Sequence, residues 1–573
     1  MRNIITTLFY ALLATLLLRE QALYAQGADQ IPKNIESQID RIFSSFNNPN
    51  RPGAAVAVVK DGKIVFKKGY GSANLEYNIP VTPSTIFPVA SLSKQFTVFS
   101  ILLLADQGKL SLDDDIRKFI PEVPDFGHKI TLRHLATHTS GLREEDGLLA
   151  MVGGRYDDVI TTKQVLKVIT NQKELNFKPG EKHLYCNTGF TLLAEVVARV
   201  SKISFAEYTQ KHIFKPLGMK NSLFYDNHEK IVKNRAYSYW SNGGATKFYK
   251  GGLNDGHVGP TGLFTTIEDM SLWAMNFSNP KVGNSSIISQ MNTLAKLNNG
   301  KTFGGAYGQF IQPYKGLYQI YHGGSSAGFR TYLGRFPKQK YAVIVFSNYE
   351  SANANWLSMQ VTDLFLKDYM SQKTSENKKE QNGYKKLKVK NLQAFGGYYW
   401  DEERFTSIKI YVKNDTLMWA IGGRRNGSPF APINKNTFRR LSVSTDIKIK
   451  FEIEGKEKTM LIIVNNGEPI ICKHYVPVSY SKEDLTQFTG TFFSEELNTS
   501  YTFLLKGGKL IAEHSRISDI SFAPVKKDTF SGNQSFFKNV KYVRDASNSV
   551  VGLKVSSFQI KDLYFKKTAH NKK

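Results

Sequence analysis

The sequence predicts a mixed α/β domain with a helical middle, followed by two copies of a small β-barrel. Three observations carry this expectation. Strand signals stand at both ends of the first 370 residues with helical periodicity between them, so one sheet must be assembled from distant segments. Composition then turns polar and lysine-rich over residues 371–390, which reads as a linker. Beyond it the chain repeats. Leu392, Phe395 and Gly397 recur as Leu485, Phe488 and Gly490 at an offset of 93, and Phe430-Ala431-Pro432 and Thr437-Phe438 recur as Phe522-Ala523-Pro524 and Thr529-Phe530 at 92, with each Phe-Ala-Pro copy expected to form a turn. A unit of about 90 residues is too long for a solenoid repeat, and many short strands separated by turn residues suit small barrels.

The elements follow in order. Arg2 and the apolar run Ile4 to Leu18 are too short for the roughly 20 residues of a membrane span and read as a signal peptide over residues 1–25, with Ala25 before the cleavage point. A short helix is expected near Pro32 to Phe46. A strand, Ala54 to Val59, turns at Asp61-Gly62, where glycine tolerates positive φ, and returns as Ile64 to Lys68. Ser93 to Gln107 is an apolar helix stopped by Gly108. The stretch Ile130 to Phe277 is expected to be mostly helical, including Phe190 to Val200. Strands return at Leu317 to Tyr321, Thr331 to Phe336 and Tyr341 to Phe346, before a helix over Ala354 to Tyr369. The expected domains are residues 26–370, 391–479 and 480–573. A polar linker predicts separable domains, so a chain ending near Met370 is expected to stay folded.

Bulk properties exclude several classes. With 41% hydrophobic residues a large core is affordable and the signature of disorder is missing. The net charge of +27 is spread along the chain, which suits a solvated basic surface or attraction to anionic envelope polymers. No nucleic-acid motif accompanies it. The two cysteines, Cys186 and Cys472, are too few for a cysteine-based zinc site, and nothing demands that they pair. His134 and His138 stand four apart, but no zinc-protease glutamate lies between them, so a structural role is expected and no metal or cofactor is called for.

The chemistry gathers at three motifs. In Ser91-Leu92-Ser93-Lys94 the first and fourth residues share a helix face, which places the Lys94 amine beside the Ser91 hydroxyl. A serine is a weak nucleophile until a base accepts its proton, and a lysine serves if its pKa is lowered. Alone, the pattern also fits a capping serine with a surface lysine. Tyr185-Cys186-Asn187 follows a Pro179-Gly180 turn and precedes a helix. On extended backbone Tyr185 and Asn187 point one way and Cys186 the other. His322-Gly323-Gly324-Ser325 ends a strand, with glycines expected to let a substrate backbone approach closely.

Together these motifs resemble the serine β-lactamase and penicillin-recognising family, in the Tyr-x-Asn form of the class C β-lactamase and D,D-peptidase branch. The resemblance spans about residues 35–370 and includes the run Ile130 to Leu142, Pro216-Leu217-Gly218-Met219 and the segment Gly259 to Thr266. It implies an antiparallel sheet flanked by helices with a helical subdomain. It implies Ser91 as nucleophile, Lys94 and Tyr185 as the proton-transfer pair, and Asn187 as a ligand of the substrate's acyl-side amide. An oxyanion hole would come from the backbone N–H groups of Ser91 and Ser325, with Gly323 and Gly324 lining the substrate edge. Which of Lys94 and Tyr185 takes the first proton stays open. His322 departs from the pattern, because β-lactamases usually carry a lysine there that holds the substrate carboxylate. Histidine at this place is similar to esterases of the fold and to D-aminopeptidases, whose hydrolase domain is followed by lipocalin-like barrels that could shape the substrate entrance.

The expectation is an exported serine hydrolase, periplasmic or extracellular, that cleaves a small ester or amide from a small-molecule or peptide-derived substrate. A D-aminopeptidase-like enzyme is its most specific form. A short-chain esterase and a non-catalytic penicillin-binding sensor or scaffold are the alternatives. No stable membrane span is expected after signal cleavage, and the oligomeric state stays open.

Overall fold

The computed structural model describes residues 31–568 apart from 156, 243–245, 372–388, 422–426, 442–445, 456 and 466. The expected signal peptide, and all but the edges of the expected linker, lie outside the described residues. Among the described residues no helix is long and apolar enough to cross a membrane.

The chain packs as two compact units. Among the described residues, the first comprises those within 31–110, 197–295 and 302–370, and the second those within 111–196, 296–301 and 371–568. The helical stretch 111–196 therefore groups with the barrels, which chain order does not announce.

In the first unit the strands are β1 (Ala54–Lys60), β2 (Lys63–Tyr70), β3 (Phe310–Tyr314), β4 (Leu317–Ser326), β5 (Phe329–Phe336) and β6 (Tyr341–Ser347). Among the described residues they form one antiparallel sheet in the order β3-β4-β5-β6-β1-β2. β1 pairs with β6 along its whole length, from Ala54 opposite Ser347 to Lys60 opposite Tyr341. This join unites the two ends of the domain. Asp61 and Gly62 both take positive φ, 47° and 77°, as a two-residue hairpin requires.

Residues Ala54 to Val59 are all buried because helices cover both faces of β1. On one face Val56, Val58, Val343 and Val345 pack with Ile39 and Phe43, in and just after helix α1 (Lys33–Ile42), and with Leu357 and Val361 of a C-terminal helix, Ala354–Leu366. Each such side chain contributes about 1.5–3 kcal/mol by leaving water. Helix α2 (Ser93–Asp106) is buried nearly all round, and Gly108 follows it at φ 68°. The middle of the chain is less helical than its periodicity suggests. Short strands at Leu223–Phe224, Ser238–Ser241, Phe248–Gly251 and Leu263–Thr265 interrupt it, each too brief to register as a period-two pattern.

In the second unit the tail forms two closed antiparallel barrels. One runs from Gly397–Asp401 to Ile470–Tyr475, the other from Gly490–Ser494 to Ile560–Lys567, with eight described strands in each. The repeat is structural. Gly397 and Gly490 adopt φ 138° and 129°, and an added Cβ would strike His474 at 2.4 Å and Lys567 at 2.9 Å, again 93 residues apart. The Phe-Ala-Pro copies, expected at turns, lie inside strands instead, Ser428–Pro432 and Ile517–Lys526. Their prolines face Phe438 and Phe530 across the ladder. A proline is tolerated in a strand where no ladder bond needs its missing N–H.

The second barrel is tied to the helical stretch by buried bonds. The Arg143 guanidinium is wholly buried and pairs with Glu496 at 2.6 Å. Tyr501 Oη donates to the Met151 carbonyl at 2.8 Å. A chain cut at Met370 would lose both.

Candidate active site

Ser91 sits in a 3-10 turn, Ala90–Leu92, that runs directly into α2. The i to i+3 geometry brings Lys94 Nζ to 3.1 Å from Ser91 Oγ. Lys94 is fully buried, and its Nζ also donates to the Pro260 carbonyl at 2.9 Å. The same loop receives Thr97 Oγ1 on the Gly259 carbonyl at 2.7 Å, and the Leu263 N–H donates to Ser93 Oγ at 3.1 Å. The segment Gly259 to Thr266 thus braces the first turns of α2. Ala90, just before the serine, has φ 48°. A non-glycine residue there stores strain of order 1–3 kcal/mol, which persists only where surroundings enforce it.

The enforcing neighbour is β4. At Gly324 an added Cβ would lie 2.3 Å from the Val89 carbonyl oxygen and 3.3 Å from Ala90 Cβ. Thr331 on β5 donates to the same Val89 carbonyl at 2.9 Å. The His-Gly-Gly-Ser strand therefore presses on the turn that carries Ser91. β4 extends through Ser325 to Ser326, so the motif lies within the strand and pairs with β5 up to Ser326 opposite Phe329.

His322 is buried at 3% exposure. Its Nδ1 lies 2.6 Å from the Gly323 carbonyl. A carbonyl only accepts, so Nδ1 carries the proton and Nε2 the lone pair. Burial, and next the charge on Lys94, push the imidazole down to about 3. At neutral pH this side chain is an uncharged ring, not a cation.

Tyr185 and Asn187 belong to the second unit, where they are held together just before helix α3 (Thr188–Ser201). Tyr185 stacks on His138 with centroids 4.2 Å apart, and the Cys186 N–H donates to His138 Nδ1 at 3.0 Å. His134 Nδ1 accepts the Thr131 N–H in a capping box. Both histidines spend Nδ1 on a backbone N–H, His134 on that of Thr131 and His138 on that of Cys186. Cys186 Sγ points away, toward the Leu142 carbonyl at 3.4 Å, and burial raises its thiol pKa. Both cysteines are free and buried.

Two residues that sequence reasoning missed hold Asn187. Its Nδ2 donates to Glu144 Oε1 at 2.7 Å and Asp146 Oδ2 at 3.0 Å, and its backbone N–H donates to Glu144 Oε2 at 2.6 Å. Carboxylates only accept, which fixes the amide flip and turns Oδ1 away from them. The run Glu144-Glu145-Asp146 just after Ser140-Gly141-Leu142 was the available signal.

A central antiparallel sheet pressing its edge motif on a Ser-x-x-Lys turn defines a penicillin-recognising serine hydrolase fold. The chain belongs to the β-lactamase family, whose model, Beta-lactamase, matches residues 39–361. It is 28% identical over 330 residues to Protein flp of Staphylococcus aureus (strain MRSA252), covering 56% of this chain and 64% of that one. It is also 28% identical over 338 residues to a D-aminopeptidase of Gluconobacter oxydans (strain 621H), covering 57% and 60%. The matches thus span less than two thirds of these relatives' lengths. Among solved structures, the octameric penicillin-binding protein homologue from Pyrococcus abyssi aligns with a TM-score of 0.54 at 25% identity, covering 77% of this chain and 99% of that one.

Proposed function

We propose that this protein is an exported serine hydrolase that cleaves small esters or amides through an acyl-enzyme on Ser91. The observation that carries the reading is the 3.1 Å approach of Lys94 Nζ to Ser91 Oγ on a braced, strained turn. In this reading Ser91 Oγ attacks the carbonyl carbon while its proton passes to the Lys94–Tyr185 pair. The backbone N–H groups of Ser91 and Ser325 receive the oxyanion, and the positive end of α2 adds to their field. Collapse expels the alcohol or amine, and water then frees Ser91. Asn187 holds the acyl-side amide through Oδ1.

The neutral His322 narrows the substrate. A substrate carboxylate offers only lone pairs, and so does Nε2, so carboxylate-bearing β-lactams gain nothing there. Esters and aminoacyl amides lose nothing. The carboxylates at Asn187 favour a substrate that carries an amino group, which fits a D-aminopeptidase-like activity. Residues 1–25 read as a signal peptide that directs the enzyme to the periplasm or beyond.

Labelling with a fluorophosphonate tests the reading. Wild type should label covalently and Ser91→Ala should not, with turnover of the best ester or D-aminoacyl amide falling by several orders of magnitude. Absence of labelling in wild type, or undiminished turnover by folded Ser91→Ala, would refute it.

A further inference from the structure

One turn of the second barrel reaches Tyr185 directly and Asn187 through Glu144. The turn joins strands Val550–Ser557 and Ile560–Lys567 and contains Gln559. Gln559 Nε2 donates to the Tyr185 carbonyl at 2.5 Å across 374 positions of sequence. The Gln559 carbonyl accepts the Glu144 N–H at 3.2 Å and Asn176 Nδ2 at 2.9 Å. Two residues on, the Lys561 carbonyl accepts Arg143 Nη2 at 2.8 Å, while the Lys561 N–H donates to Asn176 Oδ1 at 2.8 Å. Glu144 in turn grips the Asn187 backbone and side chain. Gly147 leaves room for this docking, because an added Cβ would strike Ile560 Cδ1 at 2.7 Å.

We infer that Gln559 is a positioning residue for the catalytic machinery, setting Tyr185 and, through Glu144, Asn187 from the second barrel. This inference rests on the proposed role of Tyr185 in proton transfer. The physical need is plain. Residues 182–186 lie outside helix and strand, so no ladder holds Tyr185 in place. The peptide that follows Tyr185 is held by two side chains instead, His138 Nδ1 on the Cys186 N–H and Gln559 Nε2 on the Tyr185 carbonyl, and misplacement of a reacting group by about 1 Å can cost about 100-fold in rate. The Gln559 side chain is separable from the docking itself, which uses its main chain and that of Lys561.

The test uses the full-length protein and a fluorophosphonate probe. Gln559→Glu replaces the Nε2 donor by an acceptor and keeps the main-chain bonds. Its labelling rate should fall about tenfold or more with the unfolding midpoint nearly unchanged, and Gln559→Lys, which keeps a donor, should recover most of the rate. In a Tyr185→Phe background, Gln559→Glu should cost little more, because coupled residues are non-additive. Amide hydrogen exchange over residues 183–188 should quicken in Gln559→Glu, which reads the positioning without reference to activity. If Gln559→Glu labels at the wild-type rate and leaves exchange unchanged, or if its effect adds fully to that of Tyr185→Phe, the inference falls alone. If wild type is not labelled at all, the hydrolase reading falls and takes this one with it.

Discussion

Replacing Gly324 by alanine tests how the sheet positions Ser91. The new Cβ would sit 2.2 Å from Thr331 Oγ1 and 2.3 Å from the Val89 carbonyl oxygen, where ordinary contact is about 3.5 Å. Rotating Thr331 away relieves the first clash but gives up its 2.9 Å hydrogen bond to Val89. The second clash is with backbone two residues before Ser91, so the strand or the turn must move by about 1 Å. Overpacking of this kind costs about 1–3 kcal/mol and the lost hydrogen bond about 1 more. A displaced Ser91 should lose about 100-fold in acylation rate. Gly323→Ala is the matched control for stability. Its nearest neighbour would be the Thr331 carbonyl oxygen at 3.6 Å, so its cost should stay within about 0.5 kcal/mol. Denaturant unfolding of the two variants beside wild type, with fluorophosphonate labelling of Gly324→Ala, decides the matter. Equal stability of the two variants, or wild-type labelling by Gly324→Ala, would refute the close-approach argument.

Ester hydrolysis should exceed nitrocefin hydrolysis in kcat/KM, and His322→Lys should move the ratio toward the cephalosporin by supplying a cation; a wild-type preference for cephalosporins would contradict the neutral-ring reading. Acid should destabilise the fold through His322, because the unfolded chain takes up a proton near 6.5 while the folded ring resists until about 3. Stability is full above pH 6.5 and falls as pH drops toward 3. The loss by pH 4.5 is about 2–3 kcal/mol, and urea titrations at pH 7 and 4.5 should show it shrink in His322→Gln. A chain ending at Met370 should leave residues 111–196 open to limited proteolysis. The cut takes Glu496 and the Lys561 carbonyl from Arg143 and the Tyr501 hydroxyl from Met151, so resistance equal to the full chain would mean that these contacts are dispensable.

Much of this protein was legible in its sequence, for reasons of range. The Ser91–Lys94 pairing follows from the rise of one helical turn, so spacing alone predicts a contact that the structure places at 3.1 Å. The Asp61-Gly62 hairpin follows from what glycine permits, and the two barrels from a repeat register that strand alternation must conserve. The Phe-Ala-Pro copies show the repeat but not their setting inside strands, because proline signals a turn more often than a strand. Other features depend on segments that only folding brings together. Gln559 stands 374 positions from Tyr185, and nothing in its neighbourhood marks it. Gly324 was expected to admit substrate, whereas its missing Cβ admits the Val89 carbonyl. His322 was recognisable as a departure from lysine, but its charge was not, since protonation depends on burial and on the distance to Lys94. Sequence by itself determined the local chemistry and the copies of a domain, because both rest on neighbours a few residues apart or on internal likeness. The tertiary structure alone decided which distant backbone braces Ser91, which carboxylates grip Asn187, and that the second barrel is bonded to the segment that carries Asn187. Those contacts have no sequence periodicity to betray them.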